Sequence, residues 1–196
     1  LTRLRNPRIN KREVLEAARL LRVIGNIKDI TEVLSVFRRR RMWEAAIAEL
    51  GYLSASELAP DTVVCNAAIS ACDKGGHYES VLGILADMAD ALIQKDIVTY
   101  NSAISASGKA LQVDYALGLL DEALESRLHP TTITFNAAIS ACEKGDAWES
   151  ALDLQWRMKQ VGVEADTITY SAAISSCEKG FEWEQALSLH ERMQNA

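Results

Sequence analysis

The stretch Thr132–Asp166, TITFNAAISACEKGDAWESALDLQWRMKQVGVEAD, carries the pattern on which the whole chain is built. Setting Asn66, Asn101, Asn136 and Ser171 in one column gives a constant step of thirty-five residues with no insertion. A constant period of that length is the signature of stacked supersecondary units, each too small to bury its own apolar face. The Thr132 stretch holds two helical patterns. Phe135, Ile139 and Cys142, with Ala138 between them, follow the spacing of one amphipathic helix, and Gly145 is expected to close it. The second helix is expected to open near Asp146, with Asp146 and Glu149 spaced as an acidic relative of the capping box. It then runs through Trp148, Ala151, Leu152, Leu154 and Met158 to Gly162. Asp61, Asp96 and Asp166 each precede a first helix, where a carboxylate accepts from the free N-terminal amides.

Working outward, the same grammar recurs with changed lettering. Trp148 corresponds to Trp183, Tyr78 and Val113, and Met158 to Met88, Ala123 and Met193. An aromatic and methionine stripe at helical spacing that keeps the repeat register reads as packing rather than as a cofactor box. Stepping back once more reaches Trp43 and Ser35, so residues 27–61 hold a degenerate unit with Val33, Leu34 and Phe37 on one helix and Trp43, Ala46, Ile47 and Leu50 on the next. The expected organisation is a basic arm and flanking helix over 1–26 (helical from Glu13 through Val23, with Val14, Leu15, Ala18, Leu21 and Arg22 suitably spaced and an end near Gly25), the degenerate repeat 27–61, repeats 62–96, 97–131 and 132–166, and a truncated repeat 167–196. Because the chain opens on Leu1 rather than Met and stops thirty residues into its last unit, a longer parent protein is expected.

Composition narrows the functional classes. With 48% hydrophobic residues, three prolines and ten glycines in 196 residues, a sizeable helical core is affordable in sequence terms and a β architecture is disfavoured. The apolar runs are too short and too interrupted for a membrane span. Residues 1–43 carry twelve Lys+Arg against four Asp+Glu, a net +8, while the remainder carries nine against twenty-three, a net −14. The acidic repeat body argues against indiscriminate nucleic-acid binding. Arg3, Arg5, Arg8, Lys11 and Arg12 form an arm without acids, and Arg38–Arg41 stand either as a solvated turn or as a phosphate-contacting patch. Cys72, Cys142 and Cys177 share one slot, with Ser107 in the fourth unit and Cys65 elsewhere, so buried thiols rather than a zinc clip or disulfide framework are expected. His77, His129 and His190 occur singly. No enzyme activity, metal or cofactor is implied.

A second stripe runs down the first helix of each of the four regular units: Val63, Asn66, Ser70 and Asp73 or Lys74; Val98, Asn101, Ser105 and Lys109; Ile133, Asn136, Ser140 and Lys144; Ile168, Ser171, Ser175 and Lys179. These offsets share one helical face. A β-branched side chain suits the face of an unstacked base, Asn offers both donor and acceptor to a base edge, and Lys neutralises a phosphate. The alternative is that Asn and Ser bond within the helix or to neighbouring units.

The thirty-five-residue period, the openings IVTYNSAIS, TITFNAAIS and TITYSAAIS, and the later ESALDL and EQALSL segments resemble the pentatricopeptide repeat family, with its P-type repeats, over residues 27–196. The resemblance implies an all-α, right-handed α-solenoid of stacked antiparallel helix pairs. It further implies single-stranded RNA as partner, with protein partners in addition and neither DNA nor membrane, and action in mitochondria or chloroplasts on transcript processing, editing, stability or translation. In that family the fifth and last residues of a unit select one base and the second wedges between bases. Carried onto this chain, the selectors are Thr31 with Asp61, Asn66 with Asp96, Asn101 with Thr131 and Asn136 with Asp166, followed by Ser171. The wedges are Val63, Val98, Ile133 and Ile168, and the phosphate contacts Lys74, Lys109, Lys144 and Lys179. Lys28 departs from the wedge pattern. The implied preference is G-U-N-U, with the Asn101/Thr131 base unassigned. The competing expectation is a helical scaffold for a protein partner; tetratricopeptide repeats have a period of thirty-four and a different Trp-Leu-Gly-Tyr pattern.

Overall fold

The computed structural model describes residues 10–24, 27–56 and 59–194. The expectations for Arg3, Arg5, Arg8 and Gly25 lie outside the described residues, as do the side chains of Leu21, Arg22 and Lys28. Among the described residues there are eleven helices and no strand: α1 (Lys11–Ile24), α2 (Ile27–Arg40), α3 (Trp43–Ala55), α4 (Thr62–Gly75), α5 (Tyr78–Asp90), α6 (Ile97–Lys109), α7 (Val113–Glu125), α8 (Thr132–Lys144), α9 (Trp148–Gln160), α10 (Thr167–Lys179) and α11 (Trp183–Gln194). They fall into two compact units, residues 1–95 and 96–196.

In the first unit α2 packs against α3 and α4, α4 against α3 and α5, and α1 against α2. In the second, α6 packs on α7 and α8, α8 on α9 and α10, and α10 on α9 and α11. Helices α2, α6 and α8 are thus each clasped between their own partner and the next first helix, which is why their apolar stripes are wide. Phe135, Ala138, Ile139 and Cys142 are all completely buried, as the spacing predicts. The second helices contribute Ala151, Leu154 and Met158, and in register Val81, Ile84 and Met88. The Met and aliphatic stripe is packing. Burying a side chain of the size of Leu154 or Met158 stabilises by roughly 1.5–3 kcal/mol.

All four cysteines are free and buried. Burial, with Asp61 and Asp87 adding to it, pushes the Cys65 thiol up to about 11; burial likewise pushes Cys72 and Cys142 up to about 11 and raises Cys177. These thiols stay protonated and act as small apolar groups.

The helix starts follow the sequence at the first helices and depart from it at the second. Asp61 accepts from Val64 N–H at 2.8 Å, Asp96 from Thr99 N–H at 2.9 Å and Asp166 from Thr169 N–H at 2.8 Å. The expected acidic cap at Asp146 is not made. Helix α9 starts at Trp148 with Ala147 in the capping position and no side-chain cap, and Asp146 sits in the left-handed region at φ 56°. Gly145 closes α8 as expected, its N–H donating to the Ala141 carbonyl, with an ordinary φ of −95°. It is glycine for lack of room: a Cβ there would lie 2.1 Å from Val113 Cγ2. Gly180 answers the same demand, where a Cβ would come within 2.3 Å of Trp148 Cδ1.

Candidate nucleic-acid interface

The polar stripe of the first helices begins at their caps. In the second unit the capping residue, the third residue and the fifth residue of consecutive repeats meet. Asn136 on α8 donates through Nδ2 to Asp166 Oδ1 at 3.0 Å. The Thr169 hydroxyl donates to Asn136 Oδ1 at 2.6 Å, lies 2.9 Å from Asp166 Oδ1 and accepts from Asp166 N–H at 3.1 Å. Thr169 is completely buried. Burial pushes the Asp166 carboxyl up, but the hydrogen bonds from the Thr169 amide, the Asn136 amide, the Thr169 hydroxyl and the Ile168 amide outweigh it and hold the group below its ordinary value. The two alternatives for Asn therefore meet at this position: the amide bonds across to the neighbouring repeat, yet each of its polar atoms keeps one further hydrogen-bonding site.

The remaining selectors are placed as follows. Asn101 is half-buried on α6 and its Oδ1 is buried with no hydrogen-bond partner. Thr131 caps α8, its N–H donating to Thr134 Oγ1 at 3.1 Å. Asn66 on α4 in the first unit is only 8% exposed, and Asp96 caps α6 in the second. Thr31 is half-buried on α2, Asp61 is an exposed cap and Ser171 is exposed on α10. The wedge positions are open to solvent, with Val63 57%, Val98 50%, Ile133 69% and Ile168 64% exposed. In four first helices, α4, α6, α8 and α10, a β-branched side chain at the second position is thus left out of the core.

Between α8 and α10 lies an open groove of about 400 Å³, lined by Ser140, Glu143, Thr167, Ile168, Ser171, Ala172 and Ser175, so that of the residues above Ile168 and Ser171 border it. Lys74, Lys109, Lys144 and Lys179 are exposed. Lys179 is engaged within the protein, its Nζ donating to the Glu143 carbonyl at 2.8 Å and standing 3.7 Å from the Glu143 carboxylate. Ser175 donates to the same carboxylate at 3.0 Å. Glu143 and the third-residue threonines were not singled out from sequence. The signal for the threonines was present: Thr99, Thr134 and Thr169 recur at the period, and Val64 stands in the fourth slot. Of the Arg38–Arg41 run, Arg38 to Arg40 end α2 and Arg41 takes the left-handed turn. Among the described residues no group of three His, Cys, Asp or Glu side chains is arranged to hold a metal ion, and no helix is long and apolar enough to cross a membrane.

A family profile described as pentatricopeptide repeat domain matches residues 50–109 and 83–145, and a second, PPR repeat, matches residues 133–163 and 168–196. The chain belongs to the pentatricopeptide repeat family. Its helix pairs are the pentatricopeptide α-solenoid fold. Among solved structures it is similar to the pentatricopeptide repeat protein PPR10 from maize, with 22% identity and a TM-score of 0.67 over 93% of this chain and 28% of that one. PPR10 in complex with an 18-nt psaJ RNA element gives a TM-score of 0.71 at 22% identity, over 96% of this chain and again 28% of that one. The pentatricopeptide domain of Arabidopsis thaliana protein-only RNase P 1 in complex with tRNA gives 0.74 at 9% identity, over 91% and 90% of the two chains. At such identities the likeness is one of fold. None of the curated proteins compared with the chain is similar enough in sequence to count as a relative.

Proposed function

We propose that this chain binds single-stranded RNA along the polar face of its first helices, one base per repeat, and acts in organellar RNA processing, stability, editing or translation, in a mitochondrion or chloroplast. The observation that carries the reading is the Asn136–Asp166–Thr169 cluster bordered by exposed Ile133 and Ile168. A buried hydroxyl and an ionised carboxylate hold one amide in place beside two solvent-facing apolar side chains. That combination suits an unstacked base held face-on by aliphatic carbon and edge-on by an amide. The selector pairs are Thr31 with Asp61, Asn66 with Asp96, Asn101 with Thr131 and Asn136 with Asp166, then Ser171; the wedges are Val63, Val98, Ile133 and Ile168; Lys74, Lys109, Lys144 and Lys179 meet phosphates. The RNA bound by PPR10 and the tRNA bound by the RNase P domain support the class of ligand.

The test is selection from a random single-stranded RNA pool at constant moderate salt, with the Asn66→Ala/Asn136→Ala double variant in parallel. Enrichment of a motif with two uracils one base apart, lost in the variant, is expected. Recovery of no motif, together with tight binding of a basic peptide, would instead favour a protein-binding scaffold, a reading that the acidic repeat body and the Glu143–Lys179 pair favour.

A further inference from the structure

A cleft between consecutive second helices occurs in each compact unit, with different lining. In the second unit it lies between α9 and α11, has a volume of about 620 Å³ and is lined by Gln155, Met158, Lys159, Glu164, Tyr170 and Arg192 with the turn after α9. In the first unit the cleft between α3 and α5, of about 580 Å³, holds their counterparts three repeats earlier: Leu50 for Gln155, Cys65 for Tyr170 and Asp87 for Arg192. The charged lining side chains are Lys159, Arg192 and Glu164 in the former, a net +1, and Asp87 and Asp90 in the latter, a net −2. At Gln155 the second-unit cleft breaks the pattern of the repeats. Leu50, Leu85 and Leu120 occupy this slot in the earlier repeats and are buried, whereas Gln155, at 4% exposed, places an amide there. Its Nε2 is buried with no acceptor in the protein. An unanswered buried donor lowers stability, and a leucine would avoid it. Tyr170 departs as well. Tyr100 gives its phenol proton to Glu122 at 2.8 Å, but the residue at that place in the Tyr170 repeat is Arg192, which only donates.

The cleft therefore gathers proton donors: the Gln155 amide, the Tyr170 phenol, the Lys159 ammonium and the Arg192 guanidinium. Glu164, its one carboxylate, is exposed. Met158 and Val163 supply apolar wall. A volume of this size suits a small molecule, and an arginine fork matches an oxyanion. We infer that the α9–α11 cleft is a binding site for a small organic anion, a carboxylate or phosphate monoester with an apolar body, whose head accepts from Gln155 and Arg192. The cleft shares no lining residue with the groove between α8 and α10, and the site is independent of RNA reading. The first unit's cleft, anionic and with leucine in place of the amide, does not take such a ligand.

The experiment titrates the full chain with phenylacetate and with phenyl phosphate, using neutral phenylacetamide and inorganic phosphate as controls. Binding is read by ligand-detected NMR at one salt concentration and by the shift in melting temperature. Wild type is compared with Gln155→Leu, the residue of the three earlier repeats, and with Arg192→Asp, the residue of the first unit's cleft. Wild type is expected to bind one or both organic anions, the better of them showing which head group the cleft takes, and to bind the neutral amide at least about ten-fold more weakly. Gln155→Leu is expected to weaken anion binding at least about five-fold while raising the melting temperature of the free chain, because the orphaned donor is gone. Arg192→Asp is expected to abolish binding and leave the chain folded. Absence of anion binding, equal binding of the neutral amide, or undiminished binding by either variant would overturn the inference. A lower melting temperature for Gln155→Leu would do the same by making the amide a structural group. Inorganic phosphate bound as tightly as phenyl phosphate would overturn the organic ligand, and displacement of the bound anion by a random single-stranded RNA pool would give the cleft to nucleic acid instead.

Discussion

At the scale of single residues, Thr169 joins cap, selector and core. Its hydroxyl is buried and bonded to Asn136, and its amide closes the Asp166 cap. Thr169→Val keeps the shape and the backbone amide but strands Asn136 Oδ1, and the expected loss is about 1–2 kcal/mol of stability by urea unfolding. A matched Thr134→Val loses less, because Asn101 Oδ1 has no donor to lose. The Asp166 carboxyl is depressed below its ordinary value in the folded chain. A depressed carboxyl contributes stability that is fully present above its unfolded pKa of about 3.9 and is lost as pH falls through the folded value. The stability difference between wild type and Asp166→Asn is therefore expected to be constant at neutral pH and to shrink only below about pH 4, as denaturant titrations at several pH values would show. A difference that changes between pH 6 and 8 would contradict this assignment.

At the scale of elements, the turns repeat more faithfully than the side chains in them. The residues between first and second helices, Arg41, Gly76, Leu111, Asp146 and Phe181, all have positive φ, as do Leu92, Arg127 and Gly162 after the second helices. Each inner turn is closed by a backbone bond from the residue just before the second helix: Met42 to Phe37, His77 to Cys72, Gln112 to Ser107, Ala147 to Cys142 and Glu182 to Cys177. Only one of these five inner-turn positions with positive φ is glycine. A left-handed conformation costs a residue bearing Cβ about 1–2 kcal/mol, against about 0.4–1 kcal/mol of extra unfolded-state entropy for glycine. Leu111 and Phe181 are 62% and 90% exposed, so little packing is at stake. Leu111→Gly and Phe181→Gly are therefore expected to stabilise by up to about 1 kcal/mol each, read as a rise in melting temperature. Gly76→Ala is expected to lose a similar amount. Gly180→Ala destabilises for another reason, since its methyl meets the Trp148 ring.

At the scale of the whole molecule, the proposed RNA binding is governed by charge. The repeat body is net acidic, with single lysines at the ends of its first helices. If Lys74, Lys109, Lys144 and Lys179 each neutralise one phosphate, the logarithm of the RNA association constant falls against the logarithm of salt with a slope of about −2.8. Lys179 is held by Glu143, and so long as that pair persists in the complex the slope is expected nearer −2. Glu143→Gln weakens the hold and is expected to steepen the slope by about 0.7 while leaving base preference unchanged; fluorescence-anisotropy titrations at three salt concentrations check it. A slope near zero would place the lysines away from the nucleic acid.

The sequence by itself determined the period, the helical class, the first-helix stripes and the aspartate caps. Each of those is local: an apolar spacing of three and four, or a carboxylate next to the amides it caps, needs no distant partner. The fold family was likewise legible, because a repeat writes the same local solution several times. Only the tertiary structure decided what crosses between repeats. Gly145 is small because Val113 approaches it. Asn136 is tied at both ends whereas Asn101 is not, and Lys179 is held by Glu143. Those contacts join residues about thirty or more positions apart, and their geometry follows from how one helix pair sits on the next, which no single repeat specifies alone.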